Sequence, residues 1–278
     1  MTRADTSRLL ADARTERVGI GAFNVLHLET AEGLVAAAER AGLPVILQIS
    51  ENCVAFHGSL APIARASLAL AEAASVPVGV HLDHAESESL ALEAIDLGFT
   101  SVMYDGAKLD FVDNVATTKL VVAVAHGAGV LVEAELGEIG GKDGAHAPGV
   151  RTDPSEAATF VAETGVDALA VAVGSSHAMT ERTAALDIEL IGRLAEAVPV
   201  PLVLHGSSGV PDETIVAGIR AGLVKINVST HLNAAFTGAI RAFLDANPTV
   251  VDSRKYVAAG REALSLEATR LLTLFRGE

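Results

Sequence analysis

The 278-residue chain has one cysteine, Cys53. That excludes an intrachain disulfide framework and a zinc site built on thiolates. Cations are in deficit: Lys plus Arg number 20 against 35 for Asp plus Glu, giving a net charge of −15. An acidic surface argues against nucleic acid or an anionic membrane as the main partner, although a local site can still take a small anion. Long apolar runs are also missing, because Gly, Pro or charge soon breaks each one, so no transmembrane helix is expected. Segment 1–19 mixes charge with a helical apolar spacing and lacks a secretory apolar core, which points to a cytoplasmic protein. No GxGxxG follows the first apolar run, which weakens a dinucleotide-binding reading. That run also lacks an HxH pair, which weakens a metal-dependent hydrolase.

Half of the residues are hydrophobic, ample for a sizeable core. They gather in eight short, near-continuous runs at 18–23, 44–49, 77–82, 101–105, 130–135, 167–173, 200–205 and 223–228. Runs of this kind are strands covered on both faces. Between them lie Ala- and Leu-rich segments with helical spacing, such as 29–42 and 86–98, several ending in Gly (Gly42, Gly98, Gly165, Gly222), a frequent helix C-cap. Eight strands alternating with helices predict one domain over 1–278, a (β/α)₈ TIM barrel, with an open doubly wound sheet as the alternative. Two helices, about 231–246 and 255–275, follow the last strand where a simple barrel needs one. The additional C-terminal helix suggests an oligomer contact or a lid.

Three histidines fall at matched places. His84, His177 and His205 each stand at or just after the C-terminal end of an apolar run, in 77-PVGVHLDH-84, 167-DALAVAVGSSH-177 and 200-VPLVLH-205. A parallel barrel delivers those ends to one face. Three imidazoles plus an open position form a common ligand set for catalytic zinc. Asp83 puts a carboxylate beside them. On an ideal strand Asp83 and His84 face opposite sides; the expectation is that the chain is leaving the strand there, so both reach the mouth. His81, inside the run, reads as a packing or supporting residue. Segments 206-GSSG-209 and 227-NVST-230 combine a close-approach glycine, hydroxyl donors and the start of a helix near His231, which suits a phosphate after strands seven and eight. Taken alone, Ser229 and Thr230 are simple N-cap candidates.

The sequence resembles the class II, metal-dependent ketose-bisphosphate aldolases. The resemblance is carried by 22-AFNVLHLET-30, 81-HLDHAES-87, 132-VEAELGEIGG-141, 175-SSHAMT-180, 205-HGSSGVPDE-213 and 225-KINVST-230, in family order over about residues 18–265. It implies a zinc enzyme that cleaves a ketose 1,6-bisphosphate, fructose 1,6-bisphosphate by default, to dihydroxyacetone phosphate and an aldehyde. It leaves open a monovalent cation beside the zinc. Tagatose 1,6-bisphosphate and 6-phospho-5-dehydro-2-deoxygluconate remain alternative substrates, and a weakened sugar-phosphate-binding relative is an alternative of another class. The family's zinc ligands map onto His84, His177 and His205, and its catalytic aspartate onto Asp83. With zinc as electron sink, no lysine Schiff base is needed. Asp105 and Glu135 align with a secondary metal position; read alone, they are strand-end residues that orient histidines. Substrate contacts are implied at Asn24, Ala178, Gly206, Ser207, Ser208, Asn227, Val228, Ser229, Thr230 and Arg254. The last belongs to 252-DSRKYVAAG-260 and, by the resemblance, crosses a subunit boundary in a homodimer or homotetramer.

Two segments depart from the family pattern. In 140-GGKDGAH-146, Asp143 takes the place of the glutamate that abstracts the substrate proton, with Glu138 or His146 as alternatives. Segment 51-ENCVAFHGSL-60, after strand two, is unlike the fructose branch; a change there can alter aldehyde specificity, and His57 within it reads as structural.

Overall fold

The computed structural model describes residues 4–136, 151–177 and 179–277. Eight parallel strands, β1 (Ile20–Asn24), β2 (Val45–Ser50), β3 (Val78–Ala85), β4 (Ser101–Tyr104), β5 (Leu131–Leu136), β6 (Ala168–Val171), β7 (Leu202–Leu204) and β8 (Leu223–Val228), close into a barrel in chain order. The closing pair is β1 with β8, in register from Ile20↔Lys225 to Phe23↔Val228. This is the TIM barrel, and the open-sheet alternative falls.

Strand alternation splits the apolar residues into two cores. One set, including Val78, Val80, Leu82, Val132 and Ala134, packs outward against the helices. The other, including Ile20, Ala22, Ile46, Met103, Leu131 and Ala168, fills the barrel's lower interior. Helix α1 (Thr6–Glu16) sends Leu9, Leu10 and Ala13 into that inner core and plugs the N-terminal end. Higher in the barrel the inward positions turn polar: Asn24, Gln48, Asp83, Glu133, Glu135 and Asn227. Apolar outward positions therefore hold the sheet to its helices, while inward ones change from packing to chemistry toward the mouth.

The helices α2 (Leu28–Ala41), α4 (Ala61–Ala73), α5 (Glu88–Leu97), α6 (Phe111–Gly127), α7 (Pro154–Thr164), α8 (Ile188–Ala197) and α9 (Asp212–Ala221) connect successive strands, and a short additional helix, α3 (Glu51–His57), follows β2. The four expected glycines, Gly42, Gly98, Gly165 and Gly222, are the C-caps of α2, α5, α7 and α9. The two C-terminal helices are α10 (Thr230–Ala246) and α11 (Ser253–Arg276). α11 packs on α2 and β1 and buries Leu264, Leu271, Leu272 and Phe275. α10 buries only Leu232, although its mean hydropathy is apolar. Among the described residues no single helix is long and apolar enough to cross a membrane.

Candidate active site

The polar residues of the mouth come from strand ends. β3 supplies two neighbours at once. His84 has φ +51°, left-handed for a non-glycine residue, and the β3–β4 register slips between Leu82 and Ala85. The sequence expectation placed Asp83 and His84 where the chain leaves its strand. Instead β3 continues to Ala85, and this irregularity re-aims the side chains, as bulges beside active sites do. Two other strands are shorter than expected. β7 stops at Leu204, so His205 follows it directly; β6 stops at Val171, so His177 comes from the connection beyond it.

The structure brings the three histidines together. Ring centroids are 4.4 Å apart for His84 and His205, 5.0 Å for His84 and His177, and 5.8 Å for His177 and His205. One ligand nitrogen from each lies within 4.8 Å of the other two. His84 Nε2 and His205 Nδ1 approach to 2.7 Å. The opposite nitrogen of each ring already faces a carboxylate: His84 Nδ1 is 2.6 Å from Asp105 Oδ2, and His205 Nε2 is 2.9 Å from Glu133 Oε1. A neutral imidazole has one N–H, and in both rings it donates to the carboxylate, leaving the other nitrogen with a lone pair. Two lone pairs therefore face each other, an arrangement that suits a shared cation and not a hydrogen bond. Burial above all, with the Lys225 ammonium nearby, holds the His205 pKa well below the ordinary histidine value against the opposing pull of Asp83, so its ring is neutral, as a metal ligand must be. The donor set fits a divalent cation.

Asp105 and Glu135 are buried on the other side of His84 and form a second cluster with it. Asp105 accepts directly from the ring, while Glu135 Oε2 lies 4.0 Å from Nδ1. Asp83, 3% exposed, is held by three carboxamides. Asn24 Nδ2 donates to it at 3.2 Å, Asn227 Nδ2 at 3.3 Å and Gln48 Nε2 at 3.5 Å. Gln48 Oε1 and Asn227 Oδ1 are buried and accept no hydrogen bond among the described residues.

A cavity of about 200 Å³, open to solvent, joins these groups. Asn24, Asp83, His84, His177 and Asn227 line one side; Gly206, Ser207, Ser208, Ser229 and Thr230 line another. At Gly206 φ is +65°, and a Cβ would meet the Ser176 backbone at 2.6–2.9 Å, so the turn needs glycine. Ser207 Oγ donates to the Asn227 carbonyl. Ser208 Oγ accepts from the His231 amide at 3.2 Å, which ties the turn to the start of α10. Ser229 stands at the N-cap of α10, but its side chain makes no cap hydrogen bond. Val228 is buried in the outer core, so its backbone alone can face a ligand.

Arg254 does not line this cavity in the single chain. It is at the exposed start of α11, where Asp252 holds its guanidinium. His57 bonds the Leu26 carbonyl at 2.7 Å, outside the histidine cluster. Asp143, Glu138, His146 and Ala178 lie outside the described residues.

Sequence reasoning missed Gln48, Ser50 and Asn52 in the lining, and Glu133 and Lys225 beneath it. A signal existed. Glu133 shares strand parity with Glu135, Lys225 with Asn227, and Gln48 with Ser50, so each belongs to an inward-facing row.

The chain matches the family described as fructose-bisphosphate aldolase class-II over residues 4–278. It is 40% identical to a fructose-bisphosphate aldolase of Thermus caldophilus, over 96% of each chain. To that of Geobacillus stearothermophilus it is 39% identical, over 95% of this chain and 93% of the relative. Among solved structures, the YdjI aldolase from Escherichia coli K12 superposes with a TM-score of 0.87 at 34% identity, covering 98% of this chain and 97% of that one. A putative fructose-1,6-biphosphate aldolase from Coccidioides immitis gives 0.87 at 30%, covering 98% and 96%. Barrel, histidine cluster and near full-length similarity agree, and the chain belongs to the class-II fructose-bisphosphate aldolases, lyases of carbohydrate metabolism.

Proposed function

We propose that the chain is a zinc-dependent aldolase of a ketose 1,6-bisphosphate, by default fructose 1,6-bisphosphate, which it cleaves to dihydroxyacetone phosphate and glyceraldehyde 3-phosphate. The observation that carries this reading is the 2.7 Å approach of His84 Nε2 and His205 Nδ1, each ring's other nitrogen being committed to a carboxylate. His84, His177 and His205 would hold the zinc. When bound there, zinc supplies a Lewis acid that polarises the ketone and takes up the charge developing as the carbon–carbon bond breaks.

The chain's own groups do the remainder. In cleavage, Asp83 accepts the proton of the C4 hydroxyl; in condensation it returns that proton to the aldehyde oxygen. Asn24, Gln48 and Asn227 fix its carboxylate. The acceptor oxygens of Gln48 and Asn227 suit the hydroxyls of a sugar. Gly206, Ser207, Ser208, Ser229 and Thr230, with the N-terminus of α10, seat a phosphate through backbone N–H groups and hydroxyls. Asp143, one methylene shorter than the glutamate it replaces, moves the proton at the dihydroxyacetone phosphate carbon. Arg254 of a neighbouring subunit meets the second phosphate in a homodimer or homotetramer, and the thinly buried α10 makes the contact.

Aldol cleavage of fructose 1,6-bisphosphate, tagatose 1,6-bisphosphate and 6-phospho-5-dehydro-2-deoxygluconate, with and without chelator, tests the reading. The expected result is turnover of the fructose substrate that chelator removes and zinc restores. Turnover unaffected by exhaustive chelation contradicts the zinc. Turnover of another substrate alone reassigns the specificity. Asp143→Ala is expected to slow exchange of the dihydroxyacetone phosphate proton; exchange at the wild-type rate places the base elsewhere.

A further inference from the structure

Beneath the three histidines lies an ion pair sealed from solvent. Glu133 of β5 is 0% exposed and Lys225 of β8 is 1% exposed, with Nζ 2.8 Å from Oε2. Withdrawing two charges from water is costly, and apolar residues of similar size often replace such pairs without loss of stability. Packing alone therefore does not account for them.

Their other contacts supply the reason. The second oxygen of Glu133 accepts from His205 Nε2 at 2.9 Å. Lys225 Nζ also lies 3.4 Å from His81 Nε2. An ammonium has donors only, so that nitrogen accepts and His81 Nδ1–H donates to Ser101 Oγ, 2.8 Å away. Ser101 then donates to Thr6 Oγ1 at 3.3 Å, Thr6 to Thr100 Oγ1 at 2.7 Å, and Thr100 to the Val80 carbonyl at 3.1 Å. Donation runs one way, from the ammonium through Thr6 of the α1 plug to the Val80 carbonyl, so each partner's orientation is determined. On the other branch the ammonium occupies Oε2 and leaves Oε1 for His205.

We infer that Lys225 and Glu133 are positioning residues for the metal site: Lys225 fixes the Glu133 carboxylate, and Glu133 fixes the His205 tautomer and ring angle so that Nδ1 is the ligand atom. The inference rests on the proposed reading of His205 as a zinc ligand. Supporting carboxylates of this kind typically alter metal affinity by about 10–100-fold.

The test compares wild type, Glu133→Gln and the uncharged double variant Glu133→Gln/Lys225→Met. Zinc affinity is measured by competition with a chromophoric chelator, ligand geometry by the visible spectrum of the cobalt(II) form, and folding by the Tm of the metal-free protein. The double variant removes both buried charges at nearly constant volume, so it is expected to keep its Tm. Its zinc affinity is expected to fall about 10–100-fold, with a changed cobalt spectrum. Glu133→Gln alone is expected to lose affinity to a similar extent. Wild-type affinity and spectrum in both variants, with or without a change in Tm, overturn the inference while leaving the zinc reading intact. A wild-type chain that binds zinc no better than His84→Ala overturns both.

Discussion

Asp83 and His84 are consecutive in β3, yet both side chains reach the barrel mouth, because His84 has φ +51° and the pairing with β4 slips there. A non-glycine residue in this region stores on the order of 1–3 kcal/mol. The strain is local and testable. His84→Gly and His84→Ala both remove the imidazole, but only glycine accepts the backbone without penalty. Metal-free His84→Gly is expected to be more stable than His84→Ala by about 1 kcal/mol in urea unfolding. Equal stabilities show that the backbone relaxes once the ring is gone.

The ligand and acid–base roles separate by metal content. His84→Ala, His177→Ala and His205→Ala are each expected to lose bound zinc and, with it, aldol cleavage. Asp83→Ala is expected to keep zinc and fold while losing about 10²–10⁴ in kcat, the usual contribution of one general acid or base. Zinc analysis alongside single-turnover cleavage checks both. Full zinc occupancy in all three histidine variants sinks the ligand set; full cleavage by Asp83→Ala moves the proton transfer to another group.

The same histidines show how far the sequence could be read. Parallel strands buried on both faces leave continuous apolar runs, and a barrel sends their C-terminal ends to one side, so His84 and His205 could be placed from the runs alone. His177 was harder, since β6 ends at Val171 and the residue hangs on a connection. The bulge at His84 was illegible: no glycine marks the positive φ, and the slip lies in the pairing with β4, which the β3 sequence alone does not carry. The Glu133–Lys225 pair was overlooked because charged residues within strands are usually solvated edges. In a closed barrel the same parity points to the interior, where each charge needs the other. Helix α3 was not anticipated, being seven residues long and set off by the Ser50 N-cap.

Gly206 and Gly42 have nearly the same backbone and different surroundings, which makes a paired experiment. Gly206 has φ +65° and Gly42 has φ +66°, but a Cβ meets the Ser176 backbone at the first and nothing within 4 Å at the second. Both alanine variants bear the left-handed penalty of about 1–2 kcal/mol. Only Gly206→Ala also pushes apart the Gly206–Ser208 turn and the segment carrying His177. Gly42→Ala is expected to lower Tm and leave kinetics unchanged. Gly206→Ala is expected to raise the KM for substrate and the inhibition constant of inorganic phosphate. Unchanged phosphate affinity in Gly206→Ala removes this turn from the phosphate seat.

Arg254 poses the question of the second phosphate. Among the described residues, the cavity lining includes no lysine or arginine. One phosphate can rest on backbone N–H groups at α10, but a bisphosphate brings a second dianion. The Arg254 side chain is 90% exposed and folded back on Asp252, at 3.0 Å to Oδ1 and 2.9 Å to Oδ2. Asp252 thus occupies the Nε–Nη2 edge and leaves the rest of the guanidinium fork in solvent at the start of α11, outside its own chain's cavity. A second subunit docked along α10 and α11 would bring that fork to a neighbour's site. Arg254→Ala is then expected to raise the KM for the bisphosphate much more than it weakens dihydroxyacetone phosphate binding. Arg254→Lys should recover little, because an ammonium cannot form two parallel bonds to one phosphate. Kinetics and sedimentation measured on the same preparations decide the matter. A fully active monomer, or an Arg254→Ala enzyme with wild-type bisphosphate kinetics, rules out a shared site.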